Sequence, residues 1–535
     1  MFRTAELGRT LSKEDYHQAV PVLRAGLLDA QQELRAAPFP VIIVFGGVDK
    51  GGKIETINLL NEWLDPRWLI TRAYGPPSDE MVERPEYWRY WRDLPPKGRI
   101  GLFLSCWYSR PVLDRVHSRT TESMLDEALE RIVAFERCLA DDGALILKFW
   151  MHLGKKAQKE RLTKLEANPL TRWRVSRTDW DHWQLYEKFI AAAERAIRRT
   201  STGRASWQII EGADKRYRSV VVGKAIVEAV RKRLDDVKLQ RTMINELKAR
   251  ASTQQQPSSA EVQPTVNDGP ATNVIELPRI TTLSRLDMTK SLDKKTYDAS
   301  LEEYQGKLNH LCRRAKELGV SSILVFEGWD AAGKGGAIRR IAAALDARDY
   351  QVIPIAAPTD EERAQHYLWR FWRHLSRAGR MTIFDRSWYG RVLVERVEGF
   401  AQEAEWKRAY AEINEFEDQL VERGIVLCKF WFHITKDEQL NRFKEREGVA
   451  YKRWKLTDED WRNREKWDAY ELAVDDMIEH TSTMQVPWTL VEANDKRFAR
   501  MKVLTTVCDR LTAGIDSTQV VVAKARRSHK LEKTG

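Results

Sequence analysis

The chain has 535 residues, of which 43% are hydrophobic and 31% charged, with a formal net charge of +11 and a pI near 9.2. That length exceeds the roughly 250–300 residues at which one core stops growing, and the composition excludes extensive disorder. No run approaches 18 consecutive apolar residues, Glu6, Glu14 and Asp15 interrupt the N-terminal segment, and the five cysteines form no CxxC pair. The expectation is a cytoplasmic protein of two or more domains, without membrane span, secretion signal, zinc or disulfide framework. The positive balance suits an anionic partner without choosing among phosphate esters, nucleotides, nucleic acid and membrane surface.

From the N-terminus, the first short β-branched run is Val41–Phe45, followed at once by Gly47, Asp49, Gly52 and Lys53 and then a helical stretch. Trp88-Arg89, Trp91-Arg92, Trp107-Tyr108 and Lys148-Phe149-Trp150 come next. Adding 281 to each number lands on a counterpart without a gap: Gly328, Asp330, Gly333, Lys334, Trp369-Arg370, Trp372-Arg373, Trp388-Tyr389 and Lys429-Phe430-Trp431. A period this long is a duplicated domain, since solenoid units repeat every ~20–50 residues. The boundaries read as a diverged copy at 1–250, a flexible Ser/Thr/Gln/Pro-rich linker at 251–280, a second copy at 281–515 and a frayed basic tail at 516–535.

In the second copy the expected strands are Ser321–Phe326, Gln351–Ala356, Met381–Phe384, Gly424–Phe430 and Thr489–Val491, with a helix from Gly335 to about Leu345. Short apolar strands alternating with longer helices predict tandem α/β domains, each a parallel sheet covered by helices on both faces. Ligands of such sheets bind beyond the carboxyl ends of the strands.

Gly328-Trp329-Asp330-Ala331-Ala332-Gly333-Lys334 is a G-x-x-x-x-G-K loop between strand and helix. Its glycines let backbone N–H groups curl around phosphate, and Lys334 supplies a mobile charge. Gly335 stands where Ser or Thr ordinarily binds magnesium, so Asp330 is the nearest hard oxygen donor. A second strand delivers Asp385, followed by Arg386 and Arg391. In P-loop enzymes such an aspartate binds magnesium or its water, and arginines neutralise the transferring group. In the stretch 363–380 arginines are interleaved with aromatic residues, and Arg363, Arg370 and Arg373 can share a helical face, either closing over the substrate or forming the solvated basic edge of an amphipathic helix whose Trp and Phe face the core. Lys436–Lys455, containing Arg442, Lys444, Lys452 and Arg453, suits a lid, and His433 reads as a packed histidine rather than a base.

FEGWDAAGKGG (326–336), PTDEER (358–363), FDRSWYGR (384–391), KFWFHI and NDKR together resemble the family-2 polyphosphate kinases, over nearly all of both repeats. The resemblance implies tandem P-loop kinase-like three-layer α/β/α domains with helical lids, and a homo-oligomer that moves a terminal phosphoryl group between inorganic polyphosphate and a nucleotide with Mg2+. It makes Asp330 and Asp385 the metal ligands, Lys334 and Arg386 the catalytic phosphate clamps, and Gly328, Gly333, Gly335, Arg391, Arg442 and Lys444 phosphate-binding residues. Arg363, Arg370, Arg373 and Lys429 become nucleotide or polyphosphate contacts. Two-domain members phosphorylate AMP to ADP, whereas one-domain members commonly act on diphosphates. Transfer to ADP or GDP, and a non-catalytic polyphosphate- or nucleic-acid-binding scaffold, are the alternatives; of these, nucleic acid is the less favoured partner. The first copy departs from the pattern: Leu104, Ser105 and Cys106 replace Asp385, Arg386 and Ser387, and Glu55 and Asn58 replace Gly336 and Arg339. That copy is expected to be inert.

Overall fold

The structure, a computed structural model, describes residues 1–254, 281–448 and 457–532. Most of the expected linker, and Lys452, Arg453 and Lys455 of the expected lid, lie outside the described residues.

Each repeat builds one five-stranded parallel sheet. In the first, β1 (Val41–Gly47), β2 (Leu69–Ala73), β3 (Ile100–Leu104), β4 (Leu145–His152) and β5 (Trp207–Glu211) lie in the order β2-β3-β1-β4-β5. In the second, β6 (Ser322–Gly328), β7 (Tyr350–Pro354), β8 (Met381–Asp385), β9 (Val426–His433) and β10 (Trp488–Glu492) repeat that order. The central strands are apolar along their length because helices cover both faces, and Leu324, Val325 and Phe326 are fully buried.

The helices that matter here are α1 (Lys13–Leu34), α2 (Lys53–Trp63), α3 (Glu122–Asp141), α4 (Lys155–Ala167), α5 (Arg177–Gln184), α6 (Tyr186–Thr200) and α7 (Lys215–Gln254) in the first repeat. Their counterparts are α8 (Lys294–Leu318), α9 (Lys334–Ala342), α10 (Glu403–Glu422), α11 (Lys436–Glu447), α12 (Asp458–Glu465), α13 (Trp467–Thr481) and α14 (Lys496–Glu532). Ser12 and Asp293 cap α1 and α8, each side chain accepting from the backbone N–H three residues on. One face of the first sheet packs Leu27 and Leu34 of α1 with Ile226 and Val230 of α7. No described helix is long and apolar enough to cross a membrane.

Three sequence expectations differ from the structure. Helix α14 runs on to Glu532, into the stretch read as a frayed tail; between Gly514 and Glu532 there is no Pro and no further Gly, so nothing in that span ends a helix. The stretch 363–380 is not one helix: only Asp360–Arg363 and Trp369–Trp372 are helical, so Arg363 and Arg370 share no face. The compact units also exchange segments relative to the repeat boundaries. Pro77–Arg92 packs within the second unit, where Trp91 stacks on Trp372 at 5.9 Å and Glu83 pairs with Arg377 at 2.6 Å, while Ala364–His366 belongs to the first. Burial of the tryptophans decides this location, and the repeat register carries no signal of it.

Under each sheet lies one buried network. Lys429 Nζ donates to Glu417 Oε2 (2.7 Å), Tyr389 Oη (3.0 Å) and the Thr481 carbonyl (2.7 Å). Glu417 also accepts from Trp388 Nε1 at 3.0 Å and Tyr389 Oη at 2.6 Å. Lys148, Glu136, Tyr108, Trp107 and Thr200 repeat this in the first copy. Lys429 is 0% exposed with its three donors occupied, so the expectation that it touches nucleotide or polyphosphate is corrected: it ties the sheet to the helices. Burial drives Lys429 down and Glu417 up toward neutrality, and their mutual attraction opposes both. Removing one partner leaves the other charge buried without compensation, so Lys429→Met should cost about 3–5 kcal/mol. Denaturant titration of the variant checks it.

Candidate active site

The glycine-rich loop leaves β6 through Gly328 (φ 144°), turns at Ala331 (φ 64°) and enters α9 at Gly333 (φ 109°). At Gly328 a Cβ would fall 2.5 Å from the Phe432 carbonyl, so only glycine fits that close approach. The loop edges a cavity of about 580 Å³ that also takes in Asp385, Arg386, Arg339, Arg446, Lys496 and Arg500. Parallel pairing of Phe326 with Asp385 puts both strand ends at one edge, and Arg386, in the left-handed region (φ 65°), donates its N–H to the Phe326 carbonyl.

Four expected residues therefore meet: Asp330, Lys334, Asp385 and Arg386. Lys334 Nζ donates to the carbonyls of Gly328 (2.6 Å) and Trp329 (3.2 Å), and burial draws its pKa down. Asp330 Oδ1 accepts from Arg386 at 3.2 Å, and its Oδ2 accepts from Asn463 Nδ2 at 2.9 Å. Asn463, on α12, in turn accepts from Tyr470 Oη at 3.2 Å. Trp329 stacks on Trp467 of α13 with ring centres 3.7 Å apart. Its Nε1 donates to His433 Nδ1 at 3.2 Å, which requires a neutral ring there; His433 packs, as its sequence context suggests.

Other expected residues sit elsewhere. Arg442 edges the cavity yet is 3% exposed, and its five N–H groups are all taken. Nε donates to Glu438, Nη1 to the carbonyls of Ala331 and Ala332 (3.0 Å each), and Nη2 to those of Ala493 and Asn494 (2.6 and 2.8 Å). The expectation of a lid arginine on phosphate is corrected: helix periodicity turns this position inward, where it staples the loop. Lys444 is exposed and outside the cavity lining. Arg391 lies over Tyr367 and pairs with Glu395 at 3.2 Å, Arg370 pairs with Glu362 at 3.3 Å, Arg373 pairs with Glu361 at 3.3 Å, and Arg363 pairs with Asp360. None of these four lines the cavity.

The first copy's loop keeps its shape but not its space. Arg218, 1% exposed, stands at the position of Ala499, and its Nη1 donates to the Gly212 carbonyl at 2.7 Å. A Cβ on Gly52 would fall 2.2 Å from Arg218 Cζ, whereas one on Gly333 would meet only Arg442 Nη1, at 3.9 Å. Arg161, the counterpart of Arg442, has turned to Glu55 at 3.3 Å. Asp49 pairs with His182 at 2.7 Å; although burial works the other way, that hydrogen bond and Lys53 bring its pKa down to about 2. Arg218, Asn463 and Glu327 were missed from sequence; laying Arg218 against Ala499 in the repeat register was the available signal for the first.

A glycine-rich loop and a strand-end aspartate on one cationic cavity, carried by a parallel 2-3-1-4-5 sheet, define a kinase-type phosphotransferase. The polyphosphate kinase 2 (PPK2) family model matches residues 10–238 and 291–518, and the chain belongs to that family. It is 50% identical to a polyphosphate:AMP phosphotransferase of Pseudomonas aeruginosa over 96% of this chain and 99% of the relative. A protein of the same description from Pseudomonas syringae pv. tomato is 47% identical, over 96% and 98%. A solved structure from Pseudomonas aeruginosa PA01, assigned to polyphosphate kinase 2, superposes with a TM-score of 0.83 at 48% identity, covering 96% of this chain and 99% of that one.

Arg442→Lys offers at most three donors to five acceptors, so its thermal midpoint should fall along with turnover; a phosphate contact alone would leave the midpoint in place. Burial holds His433 down at about 4, against an ordinary 6.5. As pH falls from 6.5 toward 4 the unfolded chain takes up a proton that the folded ring refuses, so stability is lost in that window, by up to about 3 kcal/mol. Denaturation midpoints measured from pH 7 to 4 should show a shallower loss in His433→Gln.

Proposed function

We propose that the second unit transfers the terminal phosphoryl group of inorganic polyphosphate to AMP, giving ADP, with magnesium. The observation that carries this reading is the single cavity on which Asp330, Lys334, Asp385 and Arg386 converge, rimmed by Arg339, Arg446, Lys496 and Arg500. Seven cations against five carboxylates leave the lining net positive, and so many cations in one place suit a chain of phosphates better than one phosphate ester. AMP as acceptor is supported by the two relatives aligned over nearly the whole chain, both described as polyphosphate:AMP phosphotransferases. Relatives matching only about one repeat carry other descriptions, such as an NDP-polyphosphate phosphotransferase of Ruegeria pomeroyi, 39% identical over 42% of this chain.

Of the five carboxylates on this lining, Asp330 in the glycine-rich loop and Asp385 at the end of β8 fit a hard divalent cation and would hold it. Bound there, magnesium would neutralise charge on the phosphates. The chain's own residues do the rest. Loop N–H groups and Lys334 would orient the phosphoryl group between donor and acceptor, and Arg386 would leave Asp330 for the transferring oxygens, whose charge it neutralises. No general base is required, because the acceptor phosphate is already anionic.

The first unit is inert in this reading. Arg218 fills the space beside Gly52, His182 holds Asp49, and Leu104 cannot bind a cation. Purified protein incubated with magnesium, polyphosphate and, separately, AMP, ADP, GMP and GDP should consume AMP; no nucleotide phosphorylated would refute the enzymatic reading. Asp385→Ala should lower turnover by at least about a hundredfold, as deletion of a catalytic electrostatic group does, while Asp49→Ala retains most of it. Equal losses would place chemistry in both units.

A further inference from the structure

Glu327 is the last side chain of β6 before the glycine-rich loop begins at Gly328, and it is 5% exposed. It does not line the cavity; burial pushes its carboxyl pKa up, and the Ser387 hydrogen bond and then two cations that do line the cavity, Lys334 and Arg386, oppose that rise. Ser387 Oγ donates to Glu327 Oε1 at 2.7 Å and accepts from the Tyr389 N–H at 3.3 Å, which fixes the turn following Arg386. A buried carboxylate behind a site for polyanions is costly unless cations answer it, and here the answering cations are the two that face the cavity.

The first copy provides the internal comparison. Gly46 and Cys106 replace Glu327 and Ser387, together with the loss of Asp385 and Arg386 to Leu104 and Ser105. No carboxylate could return there unaided: a Cβ on Gly46 would lie 3.0 Å from the Trp150 ring and 3.1 Å from that of Trp207. Lys53, lacking a counterpart of Glu327, leans on Asp49 at 3.7 Å. Among the described residues Lys334 makes no such ion pair with Asp330, which bonds Arg386 instead.

We propose that Glu327 is a positioning residue of the transfer site: its buried carboxylate, hydrogen-bonded by Ser387, holds Arg386 and the turn after it in place from the side away from the phosphates, and adds to the negative charge that faces Lys334. The role rests on the transfer reading above, so wild-type turnover is the control for that reading. Glu327→Gln keeps the volume and one oxygen that accepts from Ser387, and exchanges the charge and the second oxygen for an amide NH2. Its kcat should fall about tenfold or more, in line with supporting residues behind a charged site, with KM for AMP within about twofold and the thermal midpoint unchanged. Glu327→Asp, which restores charge at a shorter reach, should recover part of the loss. Glu327→Gln with kcat within about twofold of wild type overturns the proposal, as do equal losses in the two variants, or losses that track a fall in the midpoint. An inactive wild type would instead overturn the transfer reading.

Discussion

The geometry of the second site depends on one guanidinium. A loop can turn its N–H groups toward a cavity only if its carbonyls find donors on the other side, since a buried carbonyl without one costs about 1–3 kcal/mol. Arg442 supplies those donors to Ala331 and Ala332, and the same group ties down Ala493 and Asn494 beyond β10. Four carbonyls from two chain segments are thereby fixed by one planar fork, which a flexible ammonium could not span. Lys334 completes the closure from within by binding the Gly328 carbonyl.

In the first copy that constraint has shifted. Arg161 occupies the homologous place on α4 but reaches Glu55 and, at 3.3 Å, the Gly212 carbonyl, which Arg218 from α7 binds more closely at 2.7 Å. The carbonyl stays satisfied, so the fold loses little. The space in front of the loop is what disappears, because Arg218 approaches Gly52 from the side on which the second copy keeps Ala499. Burial lowers the Arg218 pKa, and Glu55 is one of the nearby carboxylates that sustain its charge. Glu55, which in sequence looks only like a carboxylate placed against phosphate, is also a counter-ion for the arginines that closed the cavity.

Much of the scaffold was legible in the sequence. Apolar, β-branched runs such as Val41–Phe45 and Met381–Phe384 lie within β1 and β8, and the catalytic aspartate candidates stand where the readable strands and turns put them, Asp385 at the end of β8 and Asp330 in the loop that follows β6. What was not legible was direction. Periodicity says that Arg442 and Lys429 belong to a helix and a strand, but their inward orientation depends on partners 51 or 52 residues away. Arg218 escaped notice because its neighbour Thr56 is 162 residues distant, and Glu327 because motif reading begins at Gly328. The failure of 363–380 to form one helix has the same origin, since tertiary burial of its aromatic residues outweighed local spacing.

Duplication within one chain separates residues that fold the domain from residues that serve the site. The Lys–Glu–Tyr–Trp network recurs in both copies with nearly the same distances: Lys148 to Glu136 and Lys429 to Glu417 are both 2.7 Å. Its persistence in the copy that lost Asp385, Arg386, Ser387 and Glu327 shows that those four can go without loss of the sheet. They share one edge, the carboxyl ends of β6 and β8, and they depart together. A structural role for any one of them would have to be met by its replacement. Leu104, Ser105 and Gly46 offer neither carboxylate nor guanidinium, so that edge of the first copy lacks the charges that the second carries.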